Sequence, residues 1–318
     1  MNRRQFLGSI SAGVLATPLL ASLQPKGLPL RALGRTGLRV SILGFGAGSR
    51  FLMYQQEEDA IAALNRAIDL GITYIDTAHS YGDGKSEERV GRVMATRRQE
   101  VILATKIAAR SADQARRQIE LSLKRLNTDR FDVLHIHALK SLPDLGAIEA
   151  RGGVLEALYE AREQKITRAI GITCHADPGA LQAALERHDF DCTQMALNAG
   201  LASMTDGMKI VPAGAASFER LALPVATRKK MGVIAMKVFG QEQLVGAAAA
   251  DKLLAYALSL PVSLASVGMP QVELIQRNAA LSQAFTPLSR RERNRLMETI
   301  ASSRKHAMHH FFRDHEDV

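Results

Sequence analysis

The chain has 318 residues, room for one large domain or two ordinary ones, and 47% of them are hydrophobic with no tryptophan. Its formal charge is +9, but the basic residues are dispersed, and the densest run, Arg290 to Arg295, has no interleaved aromatics, which argues against a nucleic-acid binder. The two cysteines, Cys174 and Cys192, form no CxxC pair and share no zinc spacing with histidines, so no metal site is expected.

In chain order, the first segment is MNRRQFLGSISAGVLATPLLASLQP. Arg3 and Arg4 precede a weakly apolar stretch from Phe6 to Leu23, with small residues and Pro18 near its end. This resembles a twin-arginine export signal, and its Gly, Ser, Thr and Pro content makes a poor permanent anchor. The expectation is recognition by the twin-arginine translocase, cleavage near Ala21, and a periplasmic or otherwise exported protein without stable membrane association. Residues 1–25 are read as this signal and 26–318 as one domain.

Leu30 to Arg39, turning at Gly34-Arg35-Thr36-Gly37, reads as a hairpin. One theme then repeats: a short apolar run ending on a polar residue or glycine, followed by a segment of helical period. The runs are Val40–Gly46, Thr73–Thr77, Glu100–Lys106, Phe131–His137, Arg168–Thr173, Cys192–Leu197, Gly232–Lys237 and Ser263–Met269. The predicted helices after them are Glu57–Leu70, Ser86–Ala95, Ala112–Leu126, Val154–Gln164, Gly179–Arg187, Phe218–Met231, Ala248–Leu260 and Gln271–Ser282. Strict alternation predicts an α/β fold, a closed (β/α)8 barrel, with the hairpin capping its floor and an extra basic helix from about residue 288. A doubly wound sheet is the alternative, but Gly44, Gly46 and Gly48 do not have GxGxxG spacing.

Chemistry in such barrels sits at the C-terminal ends of the strands. There the second run carries Asp76, with Tyr81 on its outgoing loop, the third ends in Lys106, and the fourth in His135-Ile136-His137. Tyrosine is a weak acid, with a pKa of about 10, and a nearby ammonium is expected to lower it. Lys106 at a buried strand end needs a counter-ion, which Asp76 can supply, and a histidine beside the tyrosine can hydrogen-bond a carbonyl. Such a set would polarise a C=O and protonate it, but it needs a hydride donor from outside.

At these residues the sequence resembles the aldo-keto reductases, from Leu33-Gly34-Arg35-Thr36-Gly37-Leu38 through Ile75-Asp76-Thr77-Ala78 and Tyr81-Gly82 to Asn278. The resemblance implies a TIM barrel that reduces aldehydes and ketones with NADPH or NADH. It assigns the catalytic roles to Asp76, Tyr81, Lys106 and His137, with His135 one layer deeper. For the cofactor it implies Thr173 and Cys174 at the carboxamide, with neighbouring His175 as a substitute for the amide Cys174 lacks. It adds Gln194 at the same group, Met236 against the nicotinamide, and Lys237 at a phosphate. It also implies Gly268, Arg277 and Asn278 at the adenosine end, with NADP expected and NAD the alternative because a common Lys is missing there. His79, on the loop before Tyr81, is a candidate substrate contact. The expected activity is an NAD(P)H-dependent reduction of a small carbonyl substrate, or its reverse. The alternative is an exported cofactor-binding redox sensor with little turnover, and metal-assisted hydrolysis is disfavoured.

Overall fold

The computed structural model describes residues 27–204, 210–212, 216–240 and 243–313, and the twin-arginine segment lies outside them. The first elements, β1 (Leu30–Ala32) and β2 (Arg39–Ser41), form the expected antiparallel hairpin. Its Leu33, Leu38 and Val40 are buried against Tyr74, Ile234 and Leu264, so the hairpin plugs the barrel floor. At the turn, Gly34 has φ +54°, and a Cβ there would overlap the backbone of Gly232. Only glycine meets both demands.

The barrel runs β3 (Leu43–Gly46), α1 (Glu57–Asp69), β4 (Tyr74–Asp76), α2 (Lys85–Arg97), β5 (Ile102–Ile107), α3 (Ala112–Arg125) and β6 (Phe131–Ile136). It continues with α4 (Leu142–Glu149), α5 (Val154–Glu163), β7 (Thr167–Cys174), α6 (Pro178–Arg187), β8 (Cys192–Ala196) and a hairpin of β9 (Ala202–Met204) and β10 (Ile210–Pro212). Then come α7 (Ala222–Arg228), β11 (Gly232–Met236), α8 (Ala250–Leu258), β12 (Leu264–Val267), α9 (Val272–Gln283) and the basic α10 (Arg290–Arg313). Strands β3 to β8, β11 and β12 pair in parallel and close into an eight-stranded barrel.

Sequence accounts for these elements locally. In α1, Ala60, Ala63, Leu64, Ala67 and Ile68 are buried, which is the spacing of one helical face. Its first turn carries Glu57, Glu58 and Asp59 and its last Arg66, matching the helix dipole. All six residues of β6 are buried, as a parallel strand covered on both faces requires. Three details differ from the sequence reading. Val40 and Ser41 end the hairpin, so the first barrel strand starts at Leu43. The stretch Leu139 to Gly153, where the sequence reading placed no helix, contains α4, whose Ser141 caps the helix by accepting from Asp144 N. The stretch Asn198 to Ala216 carries β9 and β10. Among the described residues no helix is long and apolar enough to cross a membrane.

Candidate active site

The parallel register pairs Asp76 with Ala104 and Lys106 with His135, which brings the polar ends of β4, β5 and β6 to one level of the barrel mouth. Lys106 Nζ lies 2.8 Å from Asp76 Oδ1, donates to Thr77 O at 2.6 Å, and is 3.4 Å from Tyr81 Oη. Asp76 Oδ2 accepts from Gln194 Nε2 at 2.9 Å and Ser266 Oγ at 3.3 Å. The Tyr81 and His137 rings meet edge to face, with centroids 5.4 Å apart.

Burial raises the Tyr81 pKa above its ordinary value. Lys106 pulls it down, as the sequence suggested, but desolvation outweighs that pull, so the phenol is held protonated at neutral pH. Burial alone would depress Lys106, yet Asp76 and Tyr81 together keep it above the ordinary range, as an ammonium. His137 is depressed well below 6.5 by burial and then by Lys106, so its ring is neutral. His135 is fully buried beneath it, with no hydrogen-bond partner on either ring nitrogen, and burial pushes it down to about 3.

Asp76, Tyr81, Lys106 and His137 open on a cavity of about 490 Å³, which Thr173, Gln194, Met236, Lys237 and Gly268 also line. Of the sequence-predicted cofactor contacts, these five therefore share one space. Cys174 does not join them. Strand alternation turns Thr173 and His175 inward and sends the Cys174 thiol outward, where it donates to Leu139 O at 3.0 Å. Arg277, exposed, and Asn278, buried, lie on α9 and do not line the cavity. His79 does not reach it either. Its backbone N–H is held by Lys106 O, and its ring points back toward Ser122 and Arg125 on α3.

Ser266 and Arg50 are among the lining residues that the sequence reading did not assign. Ser266 is the polar residue just before the end of β12, close to the signal that marked the other strands. Arg50 follows the Gly44-Phe45-Gly46 strand end on a loop shaped by fully buried Arg89, which donates to Phe51 O at 3.4 Å and Tyr54 O at 3.0 Å.

The lining suits a nicotinamide dinucleotide. Gln194 Oε1 is buried with no partner, ready to accept from a carboxamide. The Thr173 hydroxyl oxygen already accepts from Ala138 N at 2.8 Å, which leaves its proton free to donate. Met236 and Phe239 offer apolar surface, and Lys237 supplies a cation whose pKa burial pushes down to about 8. Gly268 packs so close to Arg50 that a side chain there would press on Arg50 Cβ and Cγ at 2.9 Å, which only glycine avoids.

Residues 42–252 match the aldo/keto reductase family, and the chain belongs to it. It is 35% identical to L-galactose dehydrogenase of Arabidopsis thaliana over 158 residues, 46% of this chain and 48% of that protein. The chain spans about half the length of the first curated relatives it matches. An aldo-keto reductase of Bacillus halodurans in its holo form shares the fold, with TM-score 0.70 at 21% identity over 86% of this chain and 96% of that one. An aldo/keto reductase of Klebsiella pneumoniae in complex with NADP and acetate superimposes with TM-score 0.61 at 25% identity, covering 81% of this chain and 90% of that one.

Proposed function

We propose that this protein is an NADP-dependent carbonyl reductase, with NAD as the alternative cofactor, acting on a small aldehyde or ketone or on the corresponding alcohol in reverse. The observation that carries this reading is the run of Asp76, Lys106 and Tyr81, in contact from carboxylate to phenol, ending on the cavity. The NADP complex of the Klebsiella pneumoniae relative supports the cofactor.

When bound, the cofactor supplies the hydride. Thr173 and Gln194 would hold its carboxamide, Met236 would offer its ring an apolar surface, Lys237 would meet a phosphate, and Gly268 would offer its backbone. Arg277 and Asn278, outside the cavity on the helix that follows the Gly268 loop, would contact its adenosine end. Tyr81 donates its proton to the carbonyl oxygen, because burial keeps the phenol protonated until that oxygen gains charge. The Lys106 ammonium then stabilises the phenolate left behind, and Asp76 keeps Lys106 charged. His137 orients the oxygen. Ser80 Oγ lies 3.4 Å from His137 Nδ1, and a hydroxyl donating there leaves Nε2–H to face substrate.

The protein is proposed to leave the cytoplasm by the twin-arginine route, which carries folded proteins, with its cofactor inside. The deciding variant is Tyr81→Phe. It should lose carbonyl reduction and keep NADPH affinity by fluorescence titration. Full turnover in that variant would remove the assignment. Nucleotide released by denaturing the protein purified with its N-terminal segment, identified by mass, tests the carried cofactor.

A further inference from the structure

Tyr81 sits at the start of a tight turn in which three consecutive residues, Gly82, Asp83 and Gly84, have positive φ of 59°, 54° and 99°. Asp83 is not glycine, so its conformation persists only where surrounding contacts impose it. Those contacts come from outside the cavity. Arg125, the last residue of α3, reaches the loop with its guanidinium. Nη1 donates to His79 O at 3.2 Å, and Nη2 donates to Asp83 O at 3.1 Å. These carbonyls lie two residues before and two residues after Tyr81. A Cβ on Gly84 would overlap the guanidinium, so the loop lies flush against it.

The guanidinium is itself anchored. Glu87 of α2, fully buried, places Oε2 3.6 Å from Arg125 Nη1. Its Oε1 accepts from Thr105 Oγ1 at 2.7 Å. Thr105 precedes Lys106 on β5 and points to the opposite face of the strand. His79 also approaches Glu87, at 4.0 Å, but burial and Arg125 lower its pKa, so that contact is not an ion pair.

We infer that Arg125, braced by Glu87 and Thr105, is a positioning residue that fixes Tyr81 relative to Lys106. The bridge runs behind the reacting groups, from the strand that carries Lys106, through a carboxylate and a guanidinium, to the two carbonyls that flank Tyr81. It touches neither cavity nor substrate. It rests on the reading of Tyr81 as proton donor, where a displacement of about 1 Å can slow turnover about a hundredfold.

The test compares Arg125→Gln, Arg125→Lys and Leu254→Ala in the full-length protein, with Tyr81→Phe alongside. Leu254 is buried on α8, which packs behind β12, and serves as a control for lost stability. Arg125→Gln should lower kcat tenfold to a hundredfold, with NADPH affinity changed less than threefold. Arg125→Lys, which keeps a cation but not the fork that spans both carbonyls, should fall between Arg125→Gln and the parent. Leu254→Ala, with an equal or larger drop in Tm, should keep kcat within twofold. The inference is overturned if Arg125→Gln keeps kcat within twofold, or if Leu254→Ala loses as much activity. Should Arg125→Gln prove insoluble, unchanged kcat in Arg125→Lys overturns it instead. Full activity of Tyr81→Phe would mark a failure of the proton-donor reading rather than of the brace.

Discussion

On the β4 to β6 side of the mouth, Asp76, Lys106 and Tyr81 are already tied to one another, and the tyrosine loop is fastened from behind. The β8 to β11 side is built differently. There Gln194 keeps a buried oxygen without a partner, and Lys237 has the cations Lys106 and Arg50 as its electrostatic neighbours. On the proposed reading, the groups that would move a proton are preorganised, while the groups that would hold a ligand are completed by it. Preorganisation serves the step where charge develops, because no reorganisation is then required. An incomplete binding side makes the ligand's own charge and amide the missing partners.

The sharpest break of this contrast is Tyr81→Phe, which should cut kcat about a thousandfold or more while leaving NADPH affinity intact. A comparable loss of affinity would mean that the two sides are not separable. Next is Lys106→Met, which leaves the Asp76 carboxylate buried and unpaired. We expect a loss of about 3–5 kcal/mol in denaturant unfolding, against almost none for a change on the opposite side. Lys237→Ala supplies that opposite case. It should leave Tm unchanged or slightly higher and weaken NADPH binding about tenfold, the scale of one charge-assisted hydrogen bond. In the parent, NADPH affinity should fall as pH rises through about 8, where free Lys237 loses its proton, and the alanine variant should lose that dependence.

A further test, read in stability rather than affinity, concerns His135. Its folded pKa, about 3, lies below the ordinary 6.5, so only the unfolded chain takes up the proton between those values. Stability from this group is complete above about 6.5 and declines as pH falls toward 3, by about 1.4 kcal/mol per pH unit. Thermal unfolding of His135→Leu from pH 7 to 4.5 should show a shallower slope than the parent, by about one proton.

Most of the barrel was legible because each unit repeats one signal, an apolar run followed by a helical face. That Asp76, Tyr81, Lys106 and His137 would meet was legible because three strand ends and one outgoing loop carry groups that packing does not call for. What escaped depends on direction rather than residue type. Sequence places His79 two residues before Tyr81, but which way its ring turns is decided by Arg125 and Ser122, from a helix more than forty residues away. Cys174 was accessible to reasoning, since alternation allows only one of Thr173 and Cys174 to face inward. Arg125 looked like one more surface cation at a helix end, and its two acceptors are backbone carbonyls, which leave no trace in the sequence. Helix α4 is short and buries only Leu145 and Ile148, too little periodicity to stand out.

The two thiols have a practical consequence. Cys174 and Cys192 are the chain's only cysteines, both are unpaired, and both are wholly buried. Burial raises Cys174 to about 12 and Cys192 well above its ordinary value, so neither offers a thiolate to an alkylating reagent. A cysteine engineered at the cavity rim would then be the single reactive handle of the native protein, ready for a dye or a spin label without first removing the natural pair. The same pair becomes reactive once the barrel opens, so the number of labels per molecule, read by mass, reports unfolding directly.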